Sequence, residues 1–339
     1  MPSTQAVEVA DELTRPYRDA RVLVTGGIGF IGSSLARRLV ECGAIVTVVD
    51  SLVPEYGGNL TNLAGIEGLL TVNISDVRDE HSMSYLVRGH EYLFNLAGQT
   101  SHLDSMQDPF TDLDINARSQ LSILESCRKF NPDVRVVFAS TRQVYGRPQY
   151  LPVDEKHPLT PVDVNGINKL AGEWYHLLYN DVYGIPACAL RLTNTYGPRM
   201  RVKDARQTFL GIWIRNVLED EAFQVWGGAQ LRDFTYVDDA VDAMLLAALS
   251  NEACGKVFNV GGGQPQSLRD VADLLVAVAG AGRYDVREFP AERQKIDIGS
   301  YYSDDTLLRK TLRWAPRWPL EQGLKATLDY YRANLEHYC

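Results

Sequence analysis

The sequence predicts an α/β protein with a doubly wound parallel sheet and a smaller C-terminal substrate-binding lobe. Three observations carry this: a strand, glycine turn, helix, strand and acid in succession over residues 21–50; apolar β-rich runs that alternate with helical segments up to residue 192; and a looser pattern of short elements from Tyr196 onward. The 339 residues are 45% hydrophobic, ample for a large core. Charges of 34 basic against 43 acidic give a net of −9, and no Lys/Arg run stands out, which argues against binding to nucleic acid or an anionic membrane. Cys42, Cys127, Cys188, Cys254 and Cys339 are scattered without a CxxC pair, the pattern of reduced thiols in a cytoplasmic protein.

Residues 1–19 are polar, hold no apolar stretch long enough for a signal peptide or membrane span, and read as a frayed arm or short surface helix. The strand Arg21–Thr25 then runs into Gly26, Gly29 and Gly32. Those glycines let the backbone turn tightly, approach a pyrophosphate and seat the next helix, whose first residues, Phe30 and Ile31, present free N–H groups to phosphate. The strand Ile45–Asp50 ends in a carboxylate placed for a ribose 2′-hydroxyl; Asp50 accepts hydroxyl hydrogen bonds and repels a 2′-phosphate, so NAD is favoured over NADP. This is a Rossmann-type unit. Runs at 69–74, 92–96, 134–139 and 186–192 supply further strands, and helices are expected over 110–129 and 164–182, whose outward faces suit a homodimer interface. Beyond residue 196 come a helix at 207–219, strands at 223–226 and 232–236, a helix at 238–250, a strand at 256–260 and helices at 267–279 and 320–336. The expected division is an N-terminal arm over 1–19, an NAD-binding domain of residues 20–192 plus about 235–262, and a second lobe of 193–234 plus 263–339, with the ligand cleft between the two.

Several local sequences in order, TGGIGFIG at 25–32, SDVRD at 75–79, NLAGQ at 95–99, Asn116, STRQVYG at 140–146, Lys169, RLTNTYGP at 191–198 and LRDFTYVDD at 231–239, resemble the extended short-chain dehydrogenase/reductase family, specifically its NAD-dependent nucleotide-sugar epimerases and dehydratases. The resemblance spans about residues 20–335. It implies that Asp76 and Val77 hold the adenine, that Leu96, Ala97 and Gly98 pass beside the ribose and nicotinamide, and that Asn194 and Arg232 contact the diphosphate and nucleoside of a nucleotide sugar. Arg293 resembles a second phosphate-gripping arginine, a role suited to the guanidinium fork. Trp226, beside Gly227 and Gly228, reads as a packing or nucleoside-stacking surface. Carbohydrate biosynthesis is the setting such an enzyme implies.

In that family a tyrosine four residues before a lysine deprotonates the sugar hydroxyl while hydride passes to NAD. Lys169 is in place, but the tyrosine position holds Asn165, and an amide neither gains nor loses a proton near neutrality. Thr141 matches the Ser/Thr that orients the hydroxyl. The next two positions, acidic in the family's 4,6-dehydratases, are Arg142 and Gln143. Three substitutes for the base remain open: His102, placed just after a strand end that faces the cofactor; Lys169 acting through a water held by Asn165 and Thr141, the slightly preferred choice; and Asp104 or Asp163. The remaining histidines lack ligand spacing, so no metal site is expected. The expected activity is nucleotide-sugar 4-epimerisation by oxidation at C4 and hydride return. A dehydratase or other enzyme that oxidises C4, and a protein that binds NAD and sugar nucleotide without turnover, are the alternatives.

Overall fold

The computed structural model describes residues 14–205, 208–289 and 297–339. Its strands are β1 (Arg21–Thr25), β2 (Ile45–Asp50), β3 (Thr71–Ile74), β4 (Tyr92–Asn95), β5 (Arg135–Thr141), β6 (Ala187–Leu192), β7 (Asn194–Tyr196), β8 (Ala222–Trp226), β9 (Leu231–Arg232), β10 (Phe234–Tyr236), β11 (Val257–Val260), β12 (Gln266–Ser267) and β13 (Arg283–Arg287). Seven of them form one sheet in the order β11-β6-β5-β4-β1-β2-β3 with every pair parallel. Strands covered on both faces read as near-continuous apolar runs, and β6 is buried along its whole length, its one charged residue, Arg191, being paired with Glu173. The order reverses between β1 and β4, and the crevice beyond their carboxyl ends is where such sheets hold ligands.

The helix expected over 110–129 is realised as Pro109–Leu113, a π-helical turn Asp114–Arg118 and Ser119–Phe130. The helix expected over 164–182 is Val164–Tyr183, capped by Asp163, whose side chain accepts from Gly166 N–H. The single strand expected over 232–236 is broken at Asp233 into β9 and β10, because β9 pairs with β12 and β10 with β7. Short helices at Glu80–Leu86, His102–Gln107 and Thr306–Leu312, and the charged strand β13 paired to β8, carry too little periodicity to be read in advance.

Residues 1–13 of the expected arm lie outside the described residues, and its end is packed against the sheet. Residues 14–17 are helical, and the fully buried Tyr17 donates its hydroxyl to Leu245 O at 2.7 Å. One buried cluster runs from Tyr17 across a face of the sheet through Trp213 and Phe223 to Tyr331, so the C-terminal elements share a core with the sheet. A second cluster fills the opposite face, where Leu23, Leu93 and Val136 meet Ile123, Cys127 and Tyr179.

Candidate functional site

The carboxyl ends of β1 and β4 are tied together by Thr25. Its hydroxyl donates to Asn95 Oδ1 at 2.8 Å and accepts the N–H groups of Leu96 and Ala97, each at 3.1 Å. Gly32 seats the helix Phe30–Glu41 on the first turn: a Cβ there would lie 2.1 Å from Gly26 O. The result is a cavity of about 270 Å³ whose wall holds Gly26, Gly29, Phe30, Ile31, Gly32, Asp50, Asp76, Val77, Leu96, Ala97 and Gly98, every cofactor residue expected from sequence, together with Thr141, Asn165 and Lys169. Asp50 accepts the N–H groups of Ile28 at 3.1 Å and Leu52 at 2.9 Å; burial pushes its carboxyl up, those N–H groups oppose it, and its remaining lone pairs are available to a ribose. Asp76 is paired with Arg78, which holds its carboxyl below the ordinary value. Gly98 leaves room that any side chain would fill, since a Cβ would lie 2.7 Å from Lys169 Nζ. A helix N-terminus for phosphate, an acid for ribose and an open glycine floor suit a dinucleotide.

At the inner end of this cavity Lys169 is buried and donates to Ala139 O at 3.2 Å. Burial lowers its pKa to about 8, against the opposing field of Asp112. Asn165 lines the same cavity as Thr141 and Lys169, with its amide nitrogen turned to other partners. Its amide nitrogen donates to Gln99 O at 2.8 Å, Gln99 Oε1 at 3.2 Å and Asp112 Oδ2 at 3.0 Å. Asp112, only 1% exposed, also accepts from Asn116 at 3.0 Å and Asn168 at 2.8 Å, so three amides cage one carboxylate. The Asn165 amide protons are committed to these acceptors, so a water relaying to Lys169, the arrangement preferred from sequence, would be held through Asn165 Oδ1 rather than by its N–H groups.

His102 lies between Asp163 and Gln143 at the cavity wall. Its Nδ1 lies 2.9 Å from Asp163 Oδ2, and its Nε2 lies 2.8 Å from the Gln143 amide nitrogen. Burial acts against the Asp163 charge, but the His102 contact, the Gly166 N–H and the charge of Arg142 outweigh it and hold that carboxyl below its ordinary value. The approach of Nδ1 to Asp163 is a close charge contact rather than a well-formed hydrogen bond among the described residues, and it favours the tautomer with the proton on Nδ1 and Nε2 as acceptor. Asp163 thus both adjoins His102 and caps a helix. Thr141 lines the same cavity and its hydroxyl accepts Gln143 N–H at 3.2 Å.

A second cavity of about 700 Å³ opens on the other side of His102, Arg142, Gln143 and Asn194, which line both. Its wall contains Asp104, Trp226 and Arg232. Arg232 donates to Leu231 O and Gly299 O and faces Asp297 at 3.7 Å; burial brings its pKa down to about 10, with Arg142 adding to the shift. Asn194 accepts from Arg142 at 3.2 Å and donates to Asp233 O at 2.9 Å. Trp226 meets Phe289 edge-on at 6.0 Å. Arg293 lies outside the described residues. Sequence reasoning missed Asp112, Gln99 and the structural part of Asn168; their only signal was an acid and three amides in a region otherwise expected to be apolar or charged at the surface.

The chain matches the NAD dependent epimerase/dehydratase family over residues 22–261. It is 33% identical to a putative UDP-glucose 4-epimerase of Methanocaldococcus jannaschii over 92% of this chain and 99% of that protein. Among solved structures it is similar to the UDP-glucose 4-epimerase of Thermotoga maritima with UDP-glucose (31% identity, 93% and 99% coverage, TM-score 0.84). It is also similar to the UDP-glucuronic acid 4-epimerase of Bacillus cereus in complex with UDP-glucuronic acid and NAD (26% identity, 92% and 99% coverage, TM-score 0.82).

Proposed function

The chain belongs to the NAD-dependent epimerase/dehydratase family, and on that premise we propose that it is a nucleotide-sugar 4-epimerase with His102 as its general base. The observation that carries this reading is the His102–Asp163 pair standing where the two cavities meet. When bound in the first cavity, NAD supplies the hydride acceptor and returns the hydride. Thr141 orients the sugar's C4 hydroxyl, and His102 Nε2 takes its proton in place of the Gln143 amide contact. Asp163 stabilises the imidazolium formed. Lys169, cationic at neutral pH, binds the cofactor ribose as the family resemblance implies. Arg232 and Asn194 hold the diphosphate end in the second cavity. Arg142 and Gln143 carry no carboxyl, which disfavours dehydration or decarboxylation through those positions.

The test is nicotinamide absorbance after mixing with a sugar nucleotide. The native protein is expected to show a transient rise, and His102→Ala to slow it by about 10²- to 10⁴-fold. A normal transient in His102→Ala that is lost in Lys169→Met would return the base to the lysine, and no transient in the native protein with any sugar nucleotide would favour a binding protein.

We further place the protein in the cytoplasm, in line with five free cysteines, and as a homodimer. The helices Pro109–Leu113 and Val164–Tyr183 expose Phe110 at 76%, Trp174 at 61% and Val182 at 60%, an apolar surface suited to a second copy of the chain.

A further inference from the structure

Arg142 carries a buried charge that no carboxylate among the described residues pairs directly. Among the described residues its Nη1 is buried without a hydrogen-bond partner, and Nη2 is satisfied only by the neutral Asn194 Oδ1. The guanidinium lies 5.3 Å from the Tyr301 ring, while Asp233, Asp297 and Asp163 act on it only through space. A desolvated N–H aimed into a cavity wall costs free energy unless a ligand supplies the acceptor, and a guanidinium selects an anionic one.

Two anionic groups are candidates, a diphosphate and a sugar carboxylate, and position separates them. Arg232 lines only the second cavity, whereas Arg142 lines both and sits between Thr141 and Gln143, beside His102. In a hexopyranose the anomeric carbon that bears the diphosphate is opposite C4 across the ring, and C6 hangs from C5, next to C4. With the C4 hydroxyl at Thr141 and His102, the group that reaches Arg142 is therefore the one on C6. We propose that Arg142 binds a C6 carboxylate, so that the substrate is a nucleotide-linked uronic acid rather than a neutral hexose. This rests on the 4-epimerase reading for the placement of C4.

The assignment also bears on the product. Oxidation at C4 makes such a sugar a β-keto acid, which loses carbon dioxide when the C5–C6 electron pair moves into the C4 carbonyl. An ion pair with Arg142 stabilises the charged carboxylate that this step would consume, so C6 is retained.

The experiment is calorimetric titration of the NAD-loaded full-length protein with UDP-glucuronic acid and with UDP-glucose, a pair that shares its nucleoside and diphosphate. The acid is expected to bind about tenfold or more tightly. In Arg142→Leu the ratio of the two affinities should fall to near one, and Arg142→Lys, which keeps the charge but not the fork, should retain part of it. Equal affinities in the native protein, or no binding of the acid, overturn the assignment. Equal weakening of both ligands in Arg142→Leu also overturns it, by putting the arginine on the diphosphate. A preserved affinity ratio without any epimer formed would leave Arg142 as a carboxylate site and fail the 4-epimerase reading alone.

Discussion

Asn165 is a structural amide at a position where the family resemblance places a proton-transferring phenol. Its nitrogen helps cage Asp112, 53 residues earlier in the chain, and that carboxylate in turn faces Lys169. Restoring tyrosine should therefore fail: Asn165→Tyr removes one donor from a buried carboxylate and is expected to cost about 1–3 kcal/mol in denaturant unfolding without raising turnover. A tenfold gain in turnover would contradict the cage. Lys169 gives a pH dependence. Its pKa of about 8 lies below the ordinary 10.5, so the burial cost is fully present below about 8 and is relieved as pH rises from there towards 10.5. The folded protein loses the cation around its own pKa of about 8, so NAD affinity should fall between about pH 7 and about pH 9 in the native protein and stay flat in Lys169→Met, measured by fluorescence titration. At this scale Thr141, Lys169 and the cofactor residues were legible because each follows a glycine turn, a strand end or a four-residue helical spacing. Asp112 was not, since an acid among polar neighbours before a helix reads as a solvated cap until the fold turns it inward to three amides.

Two glycines separate what an element needs from what a ligand needs. At Gly32 a Cβ would strike the backbone oxygen of Gly26, which cannot move without lifting the helix Phe30–Glu41 off the sheet. Gly32→Ala is expected to cost about 1–3 kcal/mol or more in thermal unfolding and to abolish NAD binding. At Gly98 the obstacles are side-chain ends, Lys169 Nζ and, at 2.9 Å, Asn116 Oδ1, so Gly98→Ala should cost less stability than Gly32→Ala while weakening NAD about tenfold by displacing the ammonium. Equal loss of stability in both variants would contradict this division. The long parallel strands were readable from apolar runs, and the two long helices from their periodicity. The π-helical turn Asp114–Arg118 was not, although it carries Asn116, which donates both to Asp112 and to Gln99 O at 2.9 Å. One extra residue in a turn leaves no trace in a 3.6-residue pattern.

Across the whole molecule, the glycine turn builds one cavity, the strands after β6 build the other, and the residues following β5 form their common wall with His102. The sequence predicted a cleft between two lobes, but not that one hydrophobic cluster would run continuously from Tyr17 to Tyr331 beneath both. Such continuity depends on which distant faces meet, and periodicity within a segment carries no record of it. The exposed faces of the two long helices predict a dimer that Trp174→Glu converts to monomer in sedimentation velocity; a native protein that sediments as a monomer would contradict it. Chemistry at the common wall is tested most directly by incubating the NAD-loaded protein with sugar nucleotides in deuterated water and locating the label by magnetic resonance. The expected product is inverted at C4 with no solvent deuterium in the sugar, because the hydride that leaves C4 is the one that returns. Deuterium at C5, or an unchanged substrate throughout, would contradict oxidation and return at C4.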